Sequence, residues 1–177
     1  MMYKIRITAG KHRGRQIQWS GPAVRPTPSI MRERLFNWLQ FEIHQSRCID
    51  LFAGSGILGI EALSRGAKHC QFIDNQQAHI NDIQKNLSIL FAEDQYTLSK
   101  QTLPNFIPES SADIIFCDPP YNFNAHKQLI DWLHQHFSGA RLYYEASHTP
   151  AFPETWRLLK SAKQGKCTGH LLEIASC

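Results

Sequence analysis

Residues 50–59, Asp50-Leu51-Phe52-Ala53-Gly54-Ser55-Gly56-Ile57-Leu58-Gly59, decide the fold. The pattern predicts a strand over 48–52, a glycine turn, and a helix ending near Gly66. The turn reads Gly-x-Gly-x-x-Gly, small residues that let the backbone approach a nucleotide-type ligand at the strand's carboxyl end. Asp74 lies 20 residues beyond Gly54, at the end of the next predicted strand, where a carboxylate can grip a ribose diol. Asp50 stands at the mouth of the same turn. A pyrophosphate would be repelled by that acid, whereas the ammonium of a methionine moiety would be held. The ligand predicted from these residues is therefore S-adenosylmethionine, in preference to a dinucleotide.

Outward from the turn, strands and helices alternate. Strands are predicted over 69–73, 96–98, 113–117 and 141–145, with helices over 77–90 and 126–137. That order argues for a parallel α/β sheet covered on both faces. Two closing strands, 156–161 and 169–175, share a short link at Gly165 and must be antiparallel. Before the glycine turn, residues 3–8 and 15–19 predict a hairpin around Gly10–Gly14, and three prolines mark 20–28 as a loop. Thr27 and Pro28 are expected as N-cap and first residue of a helix running to about Phe41.

The chain has 177 residues, 42% of them hydrophobic and 19% charged, and fits one globular domain. It contains no apolar run long enough for a membrane helix and no secretion signal at its start. Five cysteines without a Cys-x-x-Cys pair fit reduced thiols in a cytoplasmic protein. Charge is unevenly spread. Residues 1–34 hold eight of the 19 Lys and Arg but one of the 15 acids, so the start carries +7 and the remainder −3. That polarity suits a polyanionic partner, with a solvated face as the alternative.

The stretch Phe116-Cys117-Asp118-Pro119-Pro120-Tyr121 ends a predicted strand on two prolines, which remove backbone donors and stiffen the chain. This element resembles the one that amino-methyltransferases use on an exocyclic base amine, a weak nucleophile because its lone pair is delocalised into the ring. Asp118 and the Pro119 carbonyl could accept the amine's two hydrogens and aim its lone pair at a methyl donor. Tyr121 could stack on the unstacked base. Alternation turns Cys117 away from Asp118, so a cysteine nucleophile is disfavoured. The nine histidines show no metal spacing, and no metal is expected.

"DLFAGSGILGIEALSRGA" (50–67) with "DPPY" (118–121) resembles the Rossmann-like amino-methyltransferases. "GKHRGR" (10–15), "RPTPSIMRERLFNWL" (25–39) and "YYEAS" (143–147) narrow the likeness to the RsmD family of bacterial small-subunit ribosomal RNA guanine-N2 methyltransferases. The resemblance implies a seven-stranded, mostly parallel sheet of order 3-2-1-4-5-7-6, strand 7 antiparallel. It places residues 1–28 as an RNA-binding extension and 29–177 as the methyltransferase domain. Asp50, Phe52, Ala53, Gly54, Ser55 and Gly56 would carry the methionine side of S-adenosylmethionine, and Asp74 with Asn75 the ribose. Gln101 and Thr102 stand where relatives contact adenine, without the usual Asp or Asn. Asp118, Pro119 and Tyr121 would form the catalytic element. Lys11, Arg13, Arg15, Arg25 and Arg32 would meet the RNA backbone beside the catalytic face. The implied partner is ribosomal RNA or an assembling small subunit, met by a monomer. The alternatives are a DNA adenine-N6 or protein glutamine methyltransferase, an NAD-dependent oxidoreductase, and an inactive RNA-binding module.

Overall fold

The computed structural model describes residues 3–21, 27–105, 107–108 and 110–175. A two-stranded antiparallel hairpin, β1 (Tyr3–Arg6) and β2 (Gln16–Trp19), precedes helix α1 (Ser29–Trp38). The chain then alternates through β3 (Arg47–Leu51), α2 (Ile57–Ser64), β4 (His69–Asp74), α3 (Gln77–Leu90), β5 (Tyr96–Lys100) and β6 (Ile114–Cys117). Helix α4 (His126–His136), β7 (Arg141–Ala146), β8 (Arg157–Gln164) and β9 (Cys167–Glu173) complete it. The main sheet has seven strands in the order β5-β4-β3-β6-β7-β9-β8. Only β9 runs against its neighbours. This is the order expected from the resemblance, with β3 as first strand.

Alternation along the buried strands divides the core in two. Cys48, Cys70, Phe72, Ile114, Phe116 and Tyr143 face α1–α3 and the hairpin. Ile49, Leu51, Ile115, Cys117, Leu142 and Tyr144 face α4. Cys117 thus packs away from Asp118, as the strand period requires. The hairpin's Ile5, Ile7, Ile17 and Trp19 belong to the first cluster, so the hairpin and the sheet share one core. Asn86 and Asp82 of α3 hold Gln18 and Ser20 at the top of β2. Among the described residues no helix is long and apolar enough to cross a membrane, and no group of three or more His, Cys, Asp or Glu could hold a metal ion.

Two local expectations are corrected. Pro28, not Thr27, is the N-cap of α1, and no side chain caps that helix. The Thr27 hydroxyl points instead to Asp118 Oδ2 at 3.2 Å. The Gly10–Gly14 turn does not lie beside the catalytic face. Lys11 N–H donates to Ser64 O and His12 N–H to Ser64 Oγ, at the last residue of α2. Helix α2 descends from the glycine turn, so its eight residues set the basic turn about 12 Å below that end of the sheet. The reason is steric. Gly10 (φ +81°) abuts Ser64, where a Cβ would come within 1.9 Å of the carbonyl oxygen, and only glycine seats the turn there.

Candidate active site

Four carboxylates stand on one face of the sheet, at or near the carboxyl ends of four parallel strands. They are Asp50 of β3, Asp74 of β4, Asp118 just past β6 and Glu145 of β7. The register sets their relative height. Asp50 pairs with Phe72 and Phe116, so Asp74 and Asp118 stand two residues further along on either side.

The glycine turn is built around Asp74. Its Oδ2 accepts Gly54 N–H at 2.8 Å, while Oδ1 accepts Gln76 N–H at 2.9 Å and meets His79 Nδ1 at 3.0 Å. Gly54 and Gly56 take φ of +54° and +73°, left-handed values that favour glycine. A Cβ on Gly54 would meet nothing closer than the Phe52 carbonyl oxygen at 3.8 Å, so open space borders the turn. Phe52 also takes a left-handed φ, +57°, and meets the Phe123 ring edge-on at 5.1 Å, joining the glycine turn to the Asp-Pro-Pro-Tyr turn. Ala53 N–H donates to Ile73 O, and Ala53 and Ser55 are buried. Asn75 is exposed after Asp74. Gln101 N–H donates to Asp74 O, which brings exposed Gln101 and Thr102 to the same rim.

Asp50 is buried, and its Oδ2 accepts Gly59 N–H at 2.9 Å. Burial pushes its carboxyl well above the usual range, and the charges of Asp118 and Asp74 add to the shift. No cation among the described residues pairs with it. A buried acid without a cation, among other acids, suits a positively charged ligand and opposes a pyrophosphate. The residues therefore fit S-adenosylmethionine, which bears an ammonium and a sulfonium.

Across the sheet, Asp118 is partly exposed. Burial of the carboxyl and the charge of Glu145 push it up to about 7, against the Thr27 hydrogen bond. Pro120 O accepts Phe123 N–H at 2.8 Å and closes the turn, whereas the Pro119 carbonyl has no backbone partner among the described residues. Tyr121 is 81% exposed, its ring free to receive a base. A cleft of about 670 Å³ runs beside it, lined by Phe123, His126, His148 and Phe152.

Among the described residues, the proposed RNA-contacting residues do not form one exposed surface. Lys11, Arg13 and Arg15 are exposed and carry no ion pair among the described residues, but they belong to the lower end. Arg25 lies outside the described residues. Arg32 is corrected. It is 3% exposed, pairs with buried Glu61 at 3.5 Å, and donates to Thr27 O at 2.7 Å and Arg6 O at 2.9 Å. A guanidinium enclosed by a carboxylate and two carbonyls cannot reach a phosphate. It anchors Thr27, which in turn meets Asp118. Thr27 and Glu145 escaped the sequence reading. The one available signal was that Asp118 and Glu145 end neighbouring predicted strands.

The fold agrees with known proteins. The model of the family described as conserved hypothetical protein 95 matches residues 5–173. The ribosomal RNA small subunit methyltransferase D of Haemophilus influenzae is 38% identical over 92% of this chain and 90% of its own length. The chain belongs to this methyltransferase D family. The Escherichia coli member is 32% identical, over 96% of this chain and 90% of its own. A solved structure described as a putative methyltransferase from Escherichia coli superposes with a TM-score of 0.88 at 32% identity, covering 99% of this chain and 100% of that one.

Proposed function

We propose that the chain transfers a methyl group from S-adenosylmethionine to the exocyclic N2 amine of a guanine in small-subunit ribosomal RNA. It is a methyltransferase by family, and its methyl donor is S-adenosylmethionine. The observation that carries the reading is Asp118, anchored by Thr27 beside an open Pro119 carbonyl, on the same sheet face as the glycine turn. The bound donor supplies an electrophilic methyl on a sulfonium.

The chain's own groups do the rest. Asp50 holds the donor's ammonium, and Asp74 its ribose, while keeping the glycine turn in place. Asp118 and the Pro119 carbonyl accept the two amine hydrogens, which turns the nitrogen lone pair toward the methyl. Tyr121 stacks on the base once it leaves its helix. As the new N–CH3 bond forms and the sulfur–carbon bond breaks, the nitrogen must lose one proton. Asp118, held near 7, is suited to accept it. RNA contact by Lys11, Arg13, Arg15 and Arg25 belongs to the same proposal. Lys11, Arg13 and Arg15 serve the grip on an extended substrate and not the chemistry, because they lie at the other end of α2.

The test is to incubate unmethylated small-subunit RNA, free and assembled, with the protein and labelled S-adenosylmethionine, then digest the product to nucleosides. N2-methylguanosine is the expected result. N6-methyladenosine, or no transfer to either substrate, would overturn the assignment.

A further inference from the structure

Of the four carboxylates described above, Glu145 is the one to which methyl transfer assigns no task. The register pairs Cys117 with Tyr144, so the next residues, Asp118 and Glu145, stand side by side on strands about 4.8 Å apart. Glu145 is 6% exposed. Its Oε2 accepts the Tyr143 hydroxyl hydrogen at 2.7 Å, which fixes the carboxylate's orientation. The Tyr143 ring lies where a Cβ on Gly169 would be, 2.6 Å from the hydroxyl oxygen, and Gly169 is the residue opposite Glu145 on β9. Glycine at 169 thus makes room for the ring that orients Glu145. The second oxygen, Oε1, has no hydrogen-bond partner among the described residues. Oε1 is not among the fully buried atoms that lack a partner, so it reaches solvent and stands open to a second donor.

We propose that Glu145 accepts the N1–H of the target base and thereby selects guanine over adenine, an inference that rests on the guanine reading above. The Watson–Crick edge of guanine carries two adjacent donors, N1–H and the N2 amine. Asp118 and Glu145 present two adjacent acceptors. Adenine carries its amine beside N1 as well, but that N1 is an acceptor and would turn a lone pair toward Glu145. The wrong base therefore loses a hydrogen bond and leaves a buried charge facing a lone pair, a mismatch that discriminates strongly.

The test replaces the target base by 2-aminopurine, which keeps the 2-amine but has an acceptor at N1. The nucleotide methylated by the parent enzyme is mapped first, and RNA is made with guanine or 2-aminopurine at that position. Single-turnover rates are then compared. The parent should favour guanine by roughly ten- to a hundredfold, the range for a hydrogen bond to a charged group. Glu145→Gln offers an amide that can donate to N1, and should bring the two rates within a few fold of each other. Glu145→Asp withdraws the carboxylate by one methylene, and should slow guanine methylation while keeping the preference. Unchanged S-adenosylmethionine affinity shows that each variant is folded. A parent that makes methylguanine, with a Glu145→Gln variant that keeps the full preference, would overturn this inference alone. A parent that makes methyladenosine would overturn the guanine reading and this inference together.

Discussion

The two halves of the catalytic face use carboxylates differently. On the cofactor side, Asp74 and Asp50 accept backbone N–H groups of Gly54, Gln76 and Gly59, so each acid is part of the scaffold. On the substrate side, Asp118 and Glu145 are held by single side-chain hydroxyls, those of Thr27 and Tyr143. Their carboxyls are pushed up chiefly by burial, and in Asp118 also by the charge of Glu145. An acid engaged by backbone donors builds a loop. An acid engaged by one donor, as Asp118 and Glu145 are by hydroxyls and Asp50 by Gly59 N–H, keeps lone pairs for a ligand. The cofactor half therefore couples binding to stability, and the substrate half couples chemistry to protonation.

The sharpest way to break this contrast is Asp118→Ala. It should lower the single-turnover rate by roughly 10²–10⁴-fold, the range for a lost acid–base group. S-adenosylmethionine affinity, read by titration calorimetry, should stay near the parent's. A near-normal rate would remove Asp118 from the chemistry.

Asp74→Ala should do the reverse. Affinity for S-adenosylmethionine should fall by about 1–3 kcal/mol, as for hydrogen bonds to a charged group. The melting temperature without ligand should fall as well, because Gly54 N–H, Gln76 N–H and His79 lose their common acceptor. Equal affinity and equal melting would show that Asp74 belongs to neither role.

A pH series sharpens the substrate half. An acceptor carboxylate must be deprotonated, so the single-turnover rate should rise with pH through about 7. Glu145→Gln removes the neighbouring negative charge and should move the inflection to lower pH. Thr27→Val removes a hydrogen bond that favours the charged form and should move it higher. The same shift has a stability consequence. A carboxyl whose folded value is raised favours the native state most at low pH, and that contribution is lost as pH rises through about 7. Asp118→Asn should therefore raise the melting temperature more at pH 8 than at pH 5. Equal changes at both pH values would count against the raised value.

The smallest effect on chemistry belongs to the basic turn. Arg13→Ala with Arg15→Ala should weaken RNA binding and flatten its salt dependence by a slope of ~1 per lost phosphate contact. The rate at saturating RNA should not change, since the turn is seated at the far end of α2. An unchanged salt slope in filter binding would make these residues a solvated face.

Much of the molecule followed from local sequence. Alternation of apolar residues set the strands, and the helices fell between them within a few residues of the expected ends. Glycines marked the turn at residues 54–56, and the proline pair marked the end of β6. These signals act over a few residues of backbone, so a linear reading reaches them. The misreadings share one cause. Thr27 had the residue type and place of an N-cap, but tertiary packing directs its hydroxyl to Asp118, 91 residues away. Arg32 counted as surface charge, yet Glu61 of α2 and two carbonyls bury it. The basic turn was expected near the catalytic face, and the Ser64 contacts carry it to the other end. The sequence by itself determined the elements, the glycine turn and three of the four carboxylates, Asp50, Asp74 and Asp118. Only the tertiary structure decided which of them meet, because strand order and register join residues far apart in the chain, and no local pattern encodes the partner across a sheet.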